Sequence, residues 1–171
     1  APSGYHTAVG PRAIRSSSDA LLVIINDILD FSKIEAGKLD LEEEPFELQE
    51  CVESALDLVA PKADEKGLEL VGMVDETAPR TVVGDVTRLR QVLVNLLNNA
   101  AKFTERGEVE LLVQSRALPG DGEARQQLSF SVRDTGIGIP ADRMDGLFKS
   151  FSQVDASTTR RFGGTGLGLA I

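Results

Sequence analysis

Two glycine clusters in the last quarter of the chain constrain its fold more than any other feature. The first, Asp134-Thr-Gly-Ile-Gly-Ile-Pro140, closely follows an alternating run at residues 127–133, and the second, Phe162-Gly-Gly-Thr-Gly-Leu-Gly-Leu169, leads into apolar residues suited to a helix start. Glycine has no Cβ, so it permits positive φ and lets a ligand lie against the main chain. Glycines before a helix also direct N–H groups and the helix dipole at an anion. Together the clusters predict a nucleotide pocket, with Asp134 as an acceptor that reads the base.

Neither cluster matches the commoner nucleotide fingerprints. The run Gly-Gly-Thr-Gly-Leu-Gly at 163–168 lacks the Lys-Ser/Thr ending of a phosphate-binding P-loop. A Rossmann fingerprint would need its glycines in a first βα unit with an acid about 20 residues later, whereas these glycines lie near the end of the sequence. A glycine-rich turn without a ligand is the alternative for either cluster alone. A third motif upstream favours the nucleotide site.

That third motif is a helical pattern at residues 88–104. Its apolar residues recur at i, i+3 and i+4 spacing and predict one buried stripe: Leu89, Val92, Leu93, Leu96, Leu97 and Ala100. Asn95, Asn99 and Lys102 fall on a neighbouring face. Asparagine is an indifferent helix former, but its amide oxygen is a neutral ligand for Mg²⁺, and lysine is a point cation suited to phosphate. The alternative is a solvated face with incidental asparagines.

These motifs resemble the catalytic and ATP-binding domain of sensor histidine kinases, within the GHKL superfamily that also includes gyrase-type ATPases. The matching segments are residues 88–104 (the N box), 134–140 (G1 box), 147–155 (F box), 160–169 (G2 box) and 18–37 (the second dimerisation helix of hybrid kinases). The resemblance covers about residues 12–171. It implies an α+β fold, a two-layer α/β sandwich of the GHKL (Bergerat) type, with a mixed sheet, helices on one face and a long N-terminal helix before it.

The resemblance implies ATP and Mg²⁺ as ligands of named residues. Asp134 would accept a hydrogen bond from the adenine amino group, while Gly136 and Gly138 let the backbone close over the base. Asn99 would hold Mg²⁺ with Asn95 beside it. Several further residues would contact or offset the phosphates, namely Lys102, Arg160, Arg161, Gly164, Thr165, Gly166, Leu167 and Gly168.

The implied reaction is transfer of the γ-phosphoryl group of Mg-ATP to a histidine on the first dimerisation helix. The only histidine, His6, does not match the family's His-Glu-x-x-Thr-Pro box. We therefore predict that the acceptor is not in this chain and that the chain is truncated at both ends, with no certain catalytic residue. Two alternatives remain: a gyrase- or chaperone-type ATPase, for which Asp85 is the nearest acid at the start of the N-box helix, and a non-catalytic nucleotide-binding or dimerisation fragment.

The predicted organisation has three parts. Residues 1–10 are a loose segment or one added in cloning, residues 11–40 are the dimerisation-domain helix, and residues 41–171 form the ATP-binding domain. The first helix is closed by Gly37 as a left-handed cap. Because its apolar face is wide, it predicts a homodimer. A response-regulator receiver domain, in the parent protein or in trans, is the second implied partner.

Composition predicts a cytoplasmic domain, which the parent protein can anchor to a membrane. The net charge of −9 and pI of about 4.7 argue against nucleic acid. No apolar run reaches the roughly 18 residues of a membrane span, so we expect no membrane contact in this chain. The single cysteine, Cys51, lies in an apolar-periodic helix and is predicted to be a small buried core residue.

Overall fold

The computed structural model describes residues 21, 25, 26, 28–118 and 125–146. In chain order the elements are helix α1 (residues 28–35), strand β1 (Glu44–Glu47), helix α2 (Leu48–Lys66), strands β2 (Glu69–Val74) and β3 (Thr81–Gly84), helix α3 (Val86–Phe103), strands β4 (Glu108–Leu118) and β5 (Arg125–Asp134), and a 3₁₀ helix (Ala141–Gly146). Residues 21, 25 and 26 are also helical, which agrees with the predicted N-terminal helix.

The described strands form a mixed arrangement, as the sequence predicted. β1 and β3 make an antiparallel ribbon in which Phe46 pairs with Val82. β2 lies parallel to β4, and β5 runs antiparallel on the other side of β4, which gives the order β2-β4-β5. A parallel pair requires a long crossover connection. Helix α3, with β3 before it, lies in the chain between β2 and β4 and provides that crossover.

The core lies between this sheet and the two long helices. Val109, Leu111 and Val113 alternate along β4 and are all fully buried, because successive strand residues point to opposite faces. They pack with the apolar stripes of α2 and α3, whose buried members are Leu48, Cys51, Val52, Ala55, Val59, Ala63, Leu93, Leu97, Ala100 and Ala101. Both helices therefore cover one face of the sheet, and the two-layer α+β prediction is confirmed.

Two helices end at left-handed glycines, and the end predicted at Gly37 is confirmed. Gly37 and Gly67 have φ values of 63° and 64°, the left-handed conformation that closes a helix. Cys51 is 1% exposed, as predicted for a core residue. Val92 is an exception to the predicted stripe, since it is 45% exposed. It lies at the flank of the stripe, and the buried line of α3 runs through Leu93 and Leu97 instead.

Asp30 of helix α1 makes a polar contact with α3. Asp30 is 8% exposed, although most of its neighbours on α1 are exposed. Its Oδ2 accepts hydrogen bonds from Arg88 Nη1 at 2.5 Å and Gln91 Nε2 at 3.1 Å. Arg88 Nη1 also donates to Gln91 Oε1 at 2.8 Å, so the three side chains form a closed network. The hydrogen bond from Arg88 holds the pKa of Asp30 below its usual value.

The apolar side chains of α1 and of the described helical residues before it lie largely outside the core. The exposed fractions are 57% for Leu21, 43% for Ile25, 45% for Ile28, 52% for Leu29 and 36% for Ile34. A helix with such a face normally packs against a partner. Among the described helices, none is long and apolar enough to span a bilayer.

Candidate functional site

The site is built around α3, whose start is set by Asp85. The carboxylate of this N-cap residue accepts the backbone N–H of Arg88 at 2.9 Å, which satisfies one of the free donors of the first helical turn. Its second oxygen accepts the backbone N–H of Glu42 at 3.3 Å. The bond from the Arg88 backbone lowers the pKa of Asp85. Asp85 therefore has a structural task in this fold, as the cap of α3 and as an anchor for the segment after α1.

Asn95, Asn99 and Lys102 lie on α3 at the predicted one-turn spacing. All three are half-buried, beside the fully buried line of Leu93 and Leu97. The Lys102 ammonium lies 4.9 Å from the centroid of the Phe103 ring, a cation–π distance. Burial lowers the pKa of Lys102, because it disfavours the charged form. The helix thus holds two amides and one cation at the margin of the core, where a bound ligand can reach them.

The segment at residues 134–138, here called the 134–138 loop, meets the C-terminal end of α3. Asp134 is the last residue of β5 and its Oδ1 accepts the backbone N–H of Gly136 at 2.9 Å. The same oxygen lies 3.4 Å from Oγ1 of Thr104, which is fully buried. The backbone N–H of Ile137 donates to the carbonyl of Phe103 at 3.3 Å. The structure therefore brings Asp134 and Gly136 against the helix end that carries Asn99 and Lys102.

Gly136 is required by this close approach. A Cβ added there would lie 2.5 Å from the Phe103 carbonyl oxygen and 2.8 Å from Asp134 Oδ1, both too short for any real contact. Gly138 has a different reason to be glycine. Its φ is 69°, a left-handed conformation, while no atom stands within 4 Å of an added Cβ. Gly136 is thus required because there is no room for a Cβ, and Gly138 is favoured because of its backbone conformation.

Sequence analysis missed two features of this region. Thr104 is fully buried beside Asp134, and only its position at the end of the N-box pattern hinted at it. Gly107 has a φ of 115°, and an added Cβ would lie 2.1 Å from Oγ1 of Thr135. That hydroxyl in turn accepts the backbone N–H of Glu108 at 3.0 Å. No local sequence pattern predicts the contact between Gly107 and Thr135, because these residues belong to different turns.

The remaining predicted residues, Arg160, Arg161, Gly164, Thr165, Gly166, Leu167 and Gly168, lie outside the described residues. An open cleft of about 410 Å³ lies at the opposite end of α3, lined by Arg90, Glu47, Glu50 and Cys51 among others. Two carboxylates in its wall make it unsuited to a triphosphate. None of the predicted nucleotide-binding residues that the structure describes contributes to it.

Comparisons with known proteins agree with this geometry. Residues 84–171 match the family described as Histidine kinase-, DNA gyrase B-, and HSP90-like ATPase. The chain is 49% identical over 158 residues to the signal transduction histidine-protein kinase BarA of Escherichia coli (strain K12), covering 92% of this chain and 17% of BarA. It is 45% identical over 158 residues to the hybrid signal transduction histidine kinase L of Dictyostelium discoideum, covering 92% of this chain and 9% of that protein.

Solved structures give the same result. The crystal structure of full-length ShkA in complex with AMPPNP has a TM-score of 0.74 and 36% identity, with 93% of this chain and 31% of that chain covered. The Acinetobacter baumannii histidine kinase AdeS has a TM-score of 0.67 and 25% identity, with 95% and 71% covered.

The chain spans less than a fifth of the length of the curated relatives named above. The family match extends from the strand before α3 through the 134–138 loop, so it includes the part of the molecule that brings Asn99 and Asp134 to one helix end. The chain therefore belongs to the histidine kinase-, DNA gyrase B- and HSP90-like ATPase family, and its ATP-binding domain is of the sensor histidine kinase type.

Proposed function

We propose that this chain binds Mg-ATP and donates its γ-phosphoryl group to a histidine that another polypeptide segment supplies. The observation that carries the proposal is the contact between the 134–138 loop and the end of α3, through Thr104, Phe103 and Gly136. It combines a base-reading carboxylate with the helix that carries the metal and phosphate candidates. The only histidine of the sequence, His6, lacks the context of a phosphoacceptor.

Base recognition is assigned to Asp134. Its Oδ1 is held by the Gly136 backbone and the Thr104 hydroxyl, which orients the carboxylate at the edge of the site. Asp134 is exposed, so a ligand can reach it. An ionised carboxylate only accepts hydrogen bonds. It therefore suits the adenine amino group and opposes the carbonyl that guanine carries at the same position.

Metal and phosphate binding are assigned to Asn99, Asn95 and Lys102. Mg²⁺ keeps several waters and takes few protein oxygens together with substrate phosphates. One half-buried amide oxygen from Asn99 fits this requirement, with Asn95 one turn earlier. The bound ion would neutralise charge on the phosphates during transfer. Lys102 suits a phosphate because burial already deprives its ammonium of water, and an anion would compensate for that loss.

Transfer to an acceptor is favoured over hydrolysis by the composition of α3. Activation of a water molecule needs a general base within hydrogen-bond reach. The helix Val86–Phe103 contains no aspartate or glutamate. Asp85, the acid that immediately precedes the helix, is 14 residues before Asn99, or about 21 Å along the helix axis, and it caps the opposite end of α3. The ATPase alternative therefore lacks its base on this helix.

Dimerisation and signalling partners complete the proposal. We assign residues 11–40 to a dimerisation helix and residues 41–171 to the catalytic domain, with exposed Ile25, Ile28 and Ile34 supporting self-association. Relatives named as hybrid kinases support a receiver domain as the later phosphoryl acceptor. A cytoplasmic location agrees with the predicted chemistry, since ATP is abundant there.

A nucleotide titration tests the proposal. A fluorescent ATP analogue is titrated into the wild-type chain and into Asp134→Ala and Asn99→Ala variants, with and without Mg²⁺. Loss of a charged acceptor costs about 1.5–3 kcal/mol, so Asp134→Ala should weaken binding by roughly 10–150-fold in both conditions. Asn99→Ala should remove mainly the part of the affinity that depends on Mg²⁺.

The matched control is Glu65→Gln, which removes one exposed negative charge from α2 without touching the site. It should bind as the wild type does. An unchanged affinity of Asp134→Ala, within about twofold, would show that this residue does not read the base. Equal losses for Asn99→Ala with and without Mg²⁺ would assign Asn99 to packing instead of the metal.

A further inference from the structure

Lys66, the last residue of α2, is bound to the end of α3. Its ammonium donates to three main-chain carbonyls, those of Ala101 at 2.6 Å, Lys102 at 2.9 Å and Thr104 at 2.9 Å. An ammonium has three N–H donors, and here each finds an acceptor. The contact joins two helices whose residues are 35 to 38 positions apart in the sequence.

These bonds complete the hydrogen bonding of the helix end. The last four carbonyls of an α-helix have no partner within the helix. The Ala100 carbonyl accepts the Thr104 N–H at 3.0 Å, and the next two carbonyls accept Lys66. The Phe103 carbonyl is left for the backbone N–H of Ile137, at 3.3 Å. The carbonyls at the end of α3 are thus divided between one lysine and the 134–138 loop.

The division determines where the Phe103 carbonyl points. Lys66 binds the carbonyls on both sides of it, those of Lys102 and Thr104, so the intervening peptide groups have little freedom to rotate. The Phe103 oxygen is also the atom closest to an added Cβ at Gly136. A change in its direction would therefore move the loop that carries Asp134.

Electrostatics favour Lys66 at this place in spite of its neighbours. The C-terminal end of a helix carries a partial negative charge that attracts cations. Lys62 donates to the Asn98 carbonyl at 3.3 Å one turn earlier. The pKa of Lys62 is lowered by burial first, and then by the charges of Lys102 and Lys66. Three ammonium groups therefore lie near one another, and short bonds to carbonyls offset their repulsion at Lys66.

We infer that Lys66 is a positioning residue for base recognition, which sets the 134–138 loop through the Phe103 carbonyl and so contributes to the preference for adenine over guanine. This inference rests on the proposed function, because it assumes that Asp134 reads the base. Lys66 itself touches no nucleotide. Its role is to hold the peptide groups against which the reading carboxylate is placed.

The test compares Lys66→Met with two other variants of the full chain. Met keeps the length of the side chain but has no donor. Lys66→Arg retains a cation that can donate to the same carbonyls. Val52→Ala is the stability control, since it opens a cavity in the buried face of α2, about 21 Å from Lys66 along the helix. Dissociation constants for ATP and GTP analogues with the same fluorophore are measured together with Tm.

Lys66→Met should weaken ATP binding about tenfold, the order expected for loss of a charge-assisted hydrogen bond that shapes a site. It should weaken GTP binding less, so the dissociation constant for GTP divided by that for ATP should fall. Lys66→Arg should restore most of that ratio. Val52→Ala should lower Tm and leave the ratio at the wild-type value. A fall in Tm for Lys66→Met with an unchanged ratio would overturn the inference and make Lys66 a stabilising cap only.

Hydrogen exchange gives a readout that needs no ligand. In Lys66→Met the amide of Ile137 should exchange faster relative to amides of β4, since the acceptor at Phe103 is no longer held. Equal protection in both proteins would overturn the inference. If Lys66→Met does not fold, Lys66→Gln, which keeps one donor group, is measured in its place with the same expectations. Failure of the wild-type chain to bind ATP would instead refute the proposed function.

Discussion

At the scale of single residues, the carboxylate of Asp134 is part of the 134–138 loop that it is proposed to serve. Its Oδ1 accepts the Gly136 N–H and lies near the buried Thr104 hydroxyl, so the group proposed to read the base also shapes its own loop. A substitution of Asp134 therefore changes loop geometry as well as ligand contact. Substitutions at the glycines change the loop geometry while they retain the carboxylate group itself.

Gly136→Ala is expected to disrupt the site although it leaves every functional side chain intact. The new Cβ would meet the Phe103 carbonyl oxygen at 2.5 Å, so the loop must move away from α3. We expect a loss of about 1–3 kcal/mol in the free energy of unfolding, the range for overpacking. ATP affinity should fall at least about tenfold, which corresponds to 1.4 kcal/mol. Isothermal titration and thermal unfolding measure the two effects.

Gly138→Ala is the matched comparison, since its Cβ would meet open space. Only the left-handed backbone is strained there, at about 1–2 kcal/mol. Its ATP affinity should lie closer to that of the wild type. Similar affinities for the two alanine variants would show that the approach of Gly136 to Phe103 is not what places the loop.

At the scale of elements, α3 is held by other parts of the chain at both of its ends. Its first turn is capped by Asp85 and bound to α1 through Arg88, and its last turn is held by Lys66. Its C-terminal part carries the candidate metal ligand Asn99. Rigid elements hold functional groups more accurately than loops do. The caps at both ends therefore help to fix the positions of Asn99 and Lys102.

Asp85→Asn and Asp85→Ala are predicted to differ in stability. Neither is expected to affect catalysis. Asparagine is as good an N-cap as aspartate, whereas alanine is poor. Asp85→Asn keeps the cap but loses the long bond from the Glu42 N–H, so it should lower Tm only slightly, whereas Asp85→Ala should lower it by several degrees in a thermal unfolding experiment. Neither should change any slow background hydrolysis of ATP. Loss of hydrolysis in Asp85→Asn at a Tm close to that of the wild type would support the ATPase alternative, with Asp85 as its base.

The attachment of α1 to α3 is predicted to depend on pH through Asp30. Because the hydrogen bond from Arg88 lowers the pKa of Asp30 below its usual 3.8, the folded form binds the proton less readily than the unfolded form. The stabilisation is therefore complete above pH 3.8 and disappears as the pH falls through the lowered pKa. Asp30→Asn should destabilise the protein by about 1–3 kcal/mol at neutral pH.

This difference is measured by urea unfolding of the wild type and Asp30→Asn between neutral and strongly acidic pH. Asp85 and Glu42 also lie near the Arg88 guanidinium, but both are present in the two proteins and cancel in the comparison. The two stabilities should converge at the acidic end. A difference that stays constant across the whole range would show that the Asp30 charge does not contribute.

At the scale of the whole molecule, the N-terminal helical region combines a polar contact to α3 with an exposed apolar face. Asp30 is turned into the contact with α3, while Ile25 and Ile28 remain 43% and 45% exposed. Contiguous exposed apolar surface usually marks an interaction site. We therefore expect the same helix both to contact α3 of its own chain and to pair with another chain.

We predict that Ile28→Glu yields a monomer, because a charge in the apolar face cannot be buried against a second copy without a large desolvation penalty. Light scattering of the wild-type chain should show a dimer or larger oligomer. Affinity for the ATP analogue should be unchanged, since Ile28 lies outside the site. The control is Lys33→Glu, which introduces the same charge on the exposed polar side of α1 and should leave the oligomer intact. A monomeric wild type would refute the proposed dimer.

The sequence alone identified the candidate residues for the chemistry and the elements they belong to. Helical periodicity placed Asn95, Asn99 and Lys102 on one side of α3, and the glycine cluster after an alternating strand marked the loop at Asp134. These are local signals, because each depends on residues only a few positions apart. The ends of the helices at Gly37 and Gly67 were predictable for the same reason.

Only the tertiary structure decided how these elements meet. The contacts of Thr104 with Asp134, of Gly136 with Phe103 and of Lys66 with the end of α3 join residues 30 or more positions apart. No periodic pattern records such pairs, since they depend on how α2, α3 and β5 pack around the sheet. The bond from the Glu42 backbone N–H to Asp85, which spans 43 positions, is likewise a property of the packed molecule. Local chemistry could be predicted from the order of residues, but its geometry required the fold.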